Sequence, residues 1–342
     1  MRGSTGLRAI ALAIVAFCGA WSLSAAAKTL VVGPDQEIKT LGEAARAARD
    51  GDTIDIEPIK DGWFDCANWR ADGLTIEGRG EGVVIIDRTC EGKALFVTSG
   101  DDITIRNLTL QRARVLDGNG AGIRAEGKNL HVEHARFVNN EAGILAGAAA
   151  GSTITISDSE FDDNGKCDRQ CVPALAVGAI ALLHVERSVF TATKAGDHLQ
   201  SRALRTELIG NTITDGAAGT AQYLVDLPSG GSLVMRDNVM EKGPKSLDPQ
   251  AAIVIMAGAR SQAVDELRFA GNHFTNDTGA GVVFVRNWTG QDAKMVNNTL
   301  DKNTTPTSQA GYYWFEAKSW LRDTADSAKE SAKILVRFLR SR

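Results

Sequence analysis

One pattern of apolar and polar positions recurs along most of the chain. It is clearest in ITIRNLTLQRA from Ile103, LHVEHARFVNN from Leu130, ITISDSEFDDN from Ile154 and LHVERSVFTAT from Leu183. Looser copies start at Thr206, Leu233, Leu267 and Ala293, so the repeat is roughly two dozen to thirty-odd residues long. Apolar and polar residues alternate at the start of each copy, which is the period of a strand. The pattern predicts an array of short strands.

Three positions of the repeat are predicted to have structural roles. The third position points into the core and holds Ile105, Val132, Ile156, Val185, Leu208, Met235, Phe269 and Met295. The eighth also points inward and holds Leu110, Phe137, Phe161, Phe190, Ile213, Met240, Phe274 and Leu300. The sixth holds Asn211, Asn238, Asn272 and Asn298 in the last four copies. We expect these amides to hydrogen-bond to one another along the stack.

A second apolar segment lies between successive copies. These segments begin at Ala121, Ala142, Pro173, Asp197, Gln222, Ala251 and Ala280. Short strands, breaks rich in Gly, Asn and Asp, and no intervening helices predict a coil of parallel strands. The expected fold class is therefore all-β: a right-handed parallel β-helix, or solenoid.

The N-terminal part of the repeat array supports this fold by resemblance. The stretch TLVVGPDQEIKTLGEAARAARDGDTIDIEP from Thr29 resembles the entrance of secreted pectate-lyase-like β-helix proteins, in which a short amphipathic helix, here near Leu41 to Arg49, caps the coil. The resemblance runs from about Lys28 to Asn303. It implies the fold and not the reaction, because this superfamily includes lyases, hydrolases, epimerases, esterases and adhesins without catalytic activity. GDHLQSRALRTELIGN and YLVDLPSGGSLVMRDNVMEKGP also resemble a bacterial β-helix group that carries both phrases.

The two ends of the chain are predicted to lie outside the coil. Residues 1–27 contain two arginines, an apolar stretch and three alanines in the order of a cleaved secretory signal, which predicts a periplasmic or secreted protein. A lipoprotein is the alternative, through Cys18, although Phe17 stands where a small residue is normal. We expect the β-helix to occupy residues 28–311.

Residues 312–342 are predicted to form a C-terminal amphipathic helix. Its apolar residues are interspersed with lysines and arginines near the end of the chain. One interpretation is a cap on the last open turn of the coil. The other is a basic helix that binds a membrane surface or a protein partner.

Charge and cysteine content narrow the function. The net charge is −4, and loss of Arg2 and Arg8 with the signal makes it more negative, which argues against nucleic acid as a partner. The four cysteines after Cys18 are expected to pair as Cys66 with Cys90 and Cys167 with Cys171. Free buried thiols remain an alternative, whereas the spacing does not favour zinc.

The candidate site combines residues at equivalent strand positions on neighbouring turns of the coil. If Leu199, Leu224 and Ile253 point inward, the strand from Asp197 presents its polar side chains to the solvent. Those side chains are His198, Gln200 and Arg202, with Tyr223 on the next turn. The opposite strand phase would turn out Ser201 and Asp226 instead, and the sequence does not decide between the two phases.

These residue types suit β-elimination from a uronate polysaccharide. His198 would be the base, Arg202 would neutralise the sugar carboxylate and Tyr223 would be the acid. Substrate-binding candidates are Gln200, Asp226, Arg286 and Trp288, the last as a stacking surface. The alternative is a non-catalytic carbohydrate-binding or envelope-structural protein, with the same residues forming a binding stripe or a solvated face.

Neither a metal nor a cofactor is expected. Calcium would need converging carboxylates, and the pairs Asp101–Asp102 and Asp162–Asp163 lie at turns that favour aspartate for backbone reasons. Glycoside hydrolysis would need two facing carboxylates, and the candidate face offers no clear outward pair. The most specific function that we expect is therefore a metal-independent uronate lyase. We also expect a monomer whose binding partner is a polysaccharide.

Overall fold

The computed structural model describes residues 26–167, 171–256 and 262–308. Most of the predicted signal segment and all of the predicted C-terminal helix lie outside these residues. The described chain forms three long parallel sheets, which are named A, B and C here in the order in which each turn of the chain visits them.

Each sheet takes one strand from successive turns. Sheet A comprises Thr29–Val32, Thr53–Ile56, Thr75–Gly78, Ile103–Arg106, Leu130–Glu133, Thr153–Ser157, Leu182–Glu186, Arg205–Ile209, Ser232–Arg236, Leu267–Ala270 and Ala293–Val296. Sheet B comprises Val84–Ile86, Thr109–Gln111, Arg136–Val138, Glu160–Asp162, Val189–Thr191, Thr212–Thr214, Val239–Lys242, His273–Asn276 and Thr299–Leu300. Sheet C comprises Ala67–Trp69, Ala94–Thr98, Ala121–Ala125, Ala142–Ala146, Leu175–Val177, Leu199–Ser201, Val225–Leu227, Ala251–Ile255, Val282–Asn287 and Thr304–Ser308.

The strand register confirms the predicted right-handed parallel β-helix. Val132 lies between Ile105 and Ile156 in sheet A, and all three are fully buried. In sheet B the rings of Phe137, Phe161 and Phe190 stack with centroids 4.6 and 4.4 Å apart. The core is therefore a set of columns of like residues, as the repeat predicted.

The eleven-residue phrase contains a corner that the sequence pattern did not reveal. Its fifth residue adopts a left-handed backbone conformation, which turns the chain from sheet A into sheet B. The residues at this corner are Asn107, His134, Asp158, Arg187, Gly210, Asp237, Gly271 and Asn297, with φ between 46° and 66°. Asn, Asp and Gly tolerate this conformation best, so the polar residues at this place serve the backbone.

The asparagine ladder is confirmed. The Nδ2 atoms of Asn211, Asn238 and Asn272 donate to the Oδ1 atom of the next asparagine at 3.1, 2.8 and 2.9 Å. Each also donates to a backbone carbonyl. Asn140 and Asn164 form a similar buried pair at 3.0 Å, which the sequence analysis missed.

A single helix, Leu41–Ala47, lies among the described residues near the start of the coil. Thr40 and Glu43 form a capping box at its first turn, and its buried residues, Leu41 and Ala44, join the core. It ends before the expected Arg49. No helix of the described chain has the length and apolar character needed to cross a membrane.

Both expected disulfides are present. Cys66 pairs with Cys90, and their Cα atoms are 5.5 Å apart. This bond joins the residue before the first strand of sheet C to the loop that precedes the second strand. Cys167 pairs with Cys171 across the small hairpin formed by Lys166–Cys167 and Cys171–Val172.

Candidate functional site on the outer face of sheet C

Strand register in sheet C settles the phase that the sequence left open. Leu199 lies between Leu175 and Val225, and these residues point into the core. Leu224 and Ile253 are buried in the same core, as expected. Gln200 lies between Ala176 and Asp226 on the opposite, outer face. Asp226 therefore shares a face with Gln200.

His198 does not face the solvent, and the predicted orientation is wrong. Its side chain is wholly buried and shares a register position with Gly143 and Ala174. A Cβ atom on Gly143 would lie 2.6 Å from the Phe161 ring, which shows that this position points inward. The chain turns a corner here before the strand begins at Leu199, so simple alternation does not extend back to His198.

His198 instead belongs to a polar cluster inside the coil, here called the inner cluster: Thr193, His198, Asp215 and Lys242. His198 Nδ1 lies 2.8 Å from Thr193 Oγ1, and Nε2 lies 2.9 Å from Asp215 Oδ1. Lys242 Nζ donates to the carbonyl of Gln222 at 2.7 Å. Every ring nitrogen and carboxylate oxygen of the histidine–aspartate pair has a partner, since Asp215 Oδ2 accepts from Gly243 N at 2.9 Å.

The charges of the inner cluster compensate one another. Burial opposes ionisation of Asp215, but its hydrogen bond and charge interaction with His198, aided by Gly243, hold the pKa of this carboxyl below its usual value. Burial lowers the pKa of the Lys242 ammonium to about 8, although the charge of Asp215 opposes the shift. The inner cluster thus has the satisfied hydrogen bonds that a buried polar network requires.

A second polar group, here called the outer cluster, lies on the solvent side of the same strand: Asp197, Gln200, Arg202, Tyr223 and Asp226. Gln200 Nε2 lies 3.1 Å from Asp226 Oδ2 and 3.5 Å from Asp197 Oδ2. Gln200 Oε1 accepts from Arg202 Nη1 at 2.6 Å. The amide of Gln200 therefore brings two carboxyl groups and a guanidinium together.

The two carboxyls of the outer cluster have raised pKa values. Burial, followed by the charge of Asp226, raises the pKa of Asp197 to about 7. Burial also raises the pKa of Asp226 to about 6, with Gln200 and Arg202 opposing the shift. Asp226 Oδ1 has no hydrogen-bond partner among the described residues, and the residue is 8% exposed to solvent. A carboxylate with an oxygen that no protein group binds and with a pKa near neutrality is suited to general-base chemistry.

The remaining candidates line the same face. The Tyr223 hydroxyl donates to Asp248 Oδ2 at 2.9 Å, and burial followed by this bond raises the pKa of Tyr223 to about 12. Arg286 lies two strands beyond Asp226 in register, with Val254 between them. Arg202 is exposed, while Arg286 and Trp288 are half-buried.

Two expectations about this face change with the structure. The opposite strand phase would have turned out Ser201 and Asp226 together, but Ser201 is buried and its Oγ lies 2.7 Å from Thr206 Oγ1. The expectation that the face lacks a carboxyl pair is wrong, because Asp197 and Asp226 bind the same Gln200 nitrogen. Asp197 opens the phrase DHLQSRA just before the strand, where aspartate is common for backbone reasons, so the sequence alone does not mark it as a site residue. Asp248 was missed because it lies in a loop outside the repeat.

Turn roles explain the aspartate pairs considered for calcium. Asp101 accepts from the backbone N–H of Lys128 at 2.7 Å, and Asp102 accepts from Asn129 at 2.8 Å. Asp162 accepts from Thr191, and Asp163 pairs with Lys194. Within the described ranges, no group of three or more His, Cys, Asp or Glu side chains is arranged to hold a metal ion.

Comparison with known proteins finds similarity at the level of the fold. No family model matches, and no curated protein matches. Among solved structures, a pectin methylesterase from carrot is 12% identical, with 88% of this chain and 97% of that chain covered and a TM-score of 0.49. A pectin methylesterase in complex with a hexasaccharide is 11% identical over 80% and 79%, with a TM-score of 0.41. A mannuronan C-5 epimerase module from Azotobacter vinelandii is 15% identical over 78% and 93%, with a TM-score of 0.32. These similarities concern the parallel β-helix, which the strand register establishes independently.

Proposed function

We propose that this protein acts on an acidic polysaccharide bound along the outer face of sheet C, with Asp226 as the general base of a β-elimination. The observation that carries the proposal is the Oδ1 oxygen of Asp226, which has no hydrogen-bond partner among the described residues, on a carboxyl that is 8% exposed and whose pKa is raised to about 6. At neutral pH this carboxyl is mostly ionised and still basic enough to accept a proton.

The outer cluster provides the other groups that this reaction needs. Asp226 takes the proton from the sugar carbon next to the carboxylate, and the electron pair forms a carbon–carbon double bond as the adjacent glycosidic C–O bond breaks. Tyr223, whose pKa of about 12 keeps its hydroxyl protonated, donates a proton to the leaving oxygen. Arg202 stabilises the negative charge that develops on the sugar carboxylate. His198 has no part in this scheme because it is buried on the other side of the strand.

The charge pattern supports an acidic substrate. Arg202 is exposed next to Asp226, and Arg286 lies on the same face two strands away, or about 10 Å at the usual strand spacing. Two arginines flanking a carboxylate would attract a polymer with regularly spaced carboxylates. Trp288, at the end of the Arg286 strand, is a candidate surface for stacking against a sugar ring.

The reaction can be tested by ultraviolet absorbance of unsaturated uronates. Purified protein would be incubated with polygalacturonate, polymannuronate and glucuronate-containing polymers, with reducing ends counted in parallel. We expect absorbance and reducing ends to rise together with one of these polymers, and both to be lost in Asp226→Asn. Asp237→Asn, an exposed aspartate at a corner between sheets A and B, is the matched control and should behave like wild type.

The outcomes separate three possibilities. New reducing ends without absorbance would contradict elimination and indicate hydrolysis by the Asp197–Asp226 pair. Binding without either product would support the non-catalytic carbohydrate-binding alternative. A rise in both signals that survives Asp226→Asn would place the base elsewhere.

Export is part of this proposal. Two disulfides close within the described chain, and disulfides persist mainly in oxidising compartments. The predicted leader, residues 1–27, agrees with that environment. Determining the N-terminus of the mature protein from the native host would test it, and a start after Ala27 is expected.

A further inference from the structure

Arg124 is a partly buried cation on the outer face of sheet C, four strands from Asp226. Burial lowers the pKa of its guanidinium, with only the charge of Glu126 opposing the shift. Its Nε atom is buried and has no hydrogen-bond partner among the described residues. Among the described residues no ion pair joins it to Glu126, whose carboxylate binds Lys93 Nζ at 2.7 Å.

The surroundings of Arg124 are apolar. In register, Arg124 lies between Val97, which is fully buried, and Leu145, which is partly buried. Both belong to a small apolar cluster on the outside of the sheet, together with Ala94, Ala121, Ala142 and Val172. Several other arginines are neutralised by carboxylates: Arg106 bonds to Glu77 and Arg136 to Glu160. A partly buried guanidinium without an anion is costly, so a ligand that brings one would be favoured at this place.

Register joins Arg124 to the outer cluster. The outward positions run Arg124, Leu145, Ala176, Gln200 and Asp226 on successive strands. The three positions between the two ends are partly accessible to solvent. At the usual strand spacing, Arg124 and Asp226 are separated by about 19 Å. An extended polysaccharide laid along this line would pass one sugar over roughly each strand.

We propose that Arg124 is the distal anion subsite for an acidic polysaccharide, binding the carboxylate of the sugar about four residues from the one at Asp226. The inference rests on the proposed function for the identity of the substrate, but it requires only binding and not cleavage. It makes chain length a determinant of affinity, because short oligomers cannot reach from Asp226 to Arg124.

The test measures affinity against oligomer length. Oligogalacturonates and oligomannuronates of two to eight residues would be titrated calorimetrically into protein carrying Asp226→Asn, so that no turnover intervenes. We expect a step in affinity at about five residues, and we expect Arg124→Gln to remove it, weakening the longer oligomers about tenfold while leaving trimers unchanged. Arg268→Gln, an exposed arginine on sheet A, is the control and should keep the step.

Additional variants and ligands distinguish an effect of the Arg124 charge on binding from an effect of the substitution on folding. Arg124→Lys keeps the cation and should retain part of the step, and circular dichroism would verify that each variant is folded. The affinity for methyl-esterified oligomers of the same lengths should be unchanged by Arg124→Gln. Equal length dependence in the Arg124→Gln and Arg268→Gln proteins would overturn the proposal, as would the absence of binding by every oligomer. If the step appears while wild type yields no unsaturated product, the subsite stands and the proposed elimination fails.

Discussion

The strand Leu199–Ser201 separates two polar clusters that differ in how fully their hydrogen bonds are satisfied. On the inner side, both nitrogens of His198 and both oxygens of Asp215 have partners, and the side chains of both residues are fully buried. On the outer side, Asp226 Oδ1 has no hydrogen-bond partner among the described residues, whereas Asp197 accepts from Tyr223 N at 3.1 Å and more weakly from Gln200 at 3.5 Å. A saturated network stabilises a fold, whereas an unsaturated one at the surface can bind and react with something else.

The difference shows why residue type alone is a poor guide to a site. Histidine is the most versatile acid and base near neutral pH, and it was the natural choice from the sequence. In the structure it has no lone pair or N–H left for a ligand. Asp226, assigned only a binding role from the sequence, has an oxygen without a partner among the described residues and a raised pKa.

The largest effect should come from breaking the inner cluster. His198→Ala leaves the buried Asp215 carboxylate without its main partner, and should lower the free energy of unfolding by about 3–5 kcal/mol. Urea denaturation followed by circular dichroism would measure it. His273→Ala removes an exposed histidine of sheet B and should change stability by less than about 0.5 kcal/mol. Equal effects of the two substitutions would contradict the structural role of the inner cluster.

Asp226→Asn should reduce turnover without reducing stability. Turnover should fall by at least about 100-fold, because the amide cannot accept the proton. Stability at neutral pH should not fall, since the substitution removes a carboxylate that is costly to ionise in this position. Parallel kinetic and urea measurements would check both parts. A destabilised variant with normal turnover per folded molecule would refute the assignment.

The outer carboxyls should also make stability depend on pH. Their folded pKa values, about 7 for Asp197 and about 6 for Asp226, lie above the ordinary value of 3.8. Their stabilising contribution is therefore complete at low pH, below the unfolded value, and is lost as the pH rises from about 4 to 7, an effect on the order of 3 kcal/mol for each carboxyl. The double variant Asp197→Asn, Asp226→Asn should show a flatter stability curve over this range. Parallel curves for the two proteins would exclude the shifts.

The smallest effect is expected at Arg202. Its side chain is exposed and bonds to Gln200, so Arg202→Gln should reduce kcat/KM on an acidic oligomer about tenfold and leave stability unchanged. Arg236→Gln, on the exposed face of sheet A, is the matched control. An equal loss with a methyl-esterified oligomer would show that Arg202 does not act through substrate charge.

The fold was predictable because the same pattern of apolar and polar positions recurs in each repeat. The column Phe137, Phe161 and Phe190 and the asparagine ladder were visible as recurrent positions, and stacking turns a recurrent position into a contact. The corner at the fifth position of the phrase was not visible, because polar residues and glycine at that position also fit a solvent-facing strand position or an ordinary turn. They share a backbone conformation.

The site was only partly predictable, for a related reason. Gln200, Arg202 and Tyr223 were placed on the correct face because they fall within or beside a regular strand. His198 was misplaced because it precedes the strand, where the chain bends and alternation fails. Asp197 and Asp248 were not predicted to belong to the site. Their contacts join a turn and a loop to the neighbouring turn of the coil, and such contacts depend on three-dimensional packing that the sequence alone does not show.

The most direct test of the account is the pH dependence of kcat/KM on an acidic oligosaccharide that wild type cleaves, measured for wild type and His198→Asn at a temperature at which both are folded. A histidine base and a carboxylate base with a pKa of about 6 would both make kcat/KM rise with pH near pH 6. The pH profile of wild type alone therefore does not distinguish them. The account predicts that the limb near pH 6 persists unchanged in His198→Asn and that Asp226→Asn abolishes the activity. A limb that disappears with His198 while Asp226→Asn remains active would contradict it.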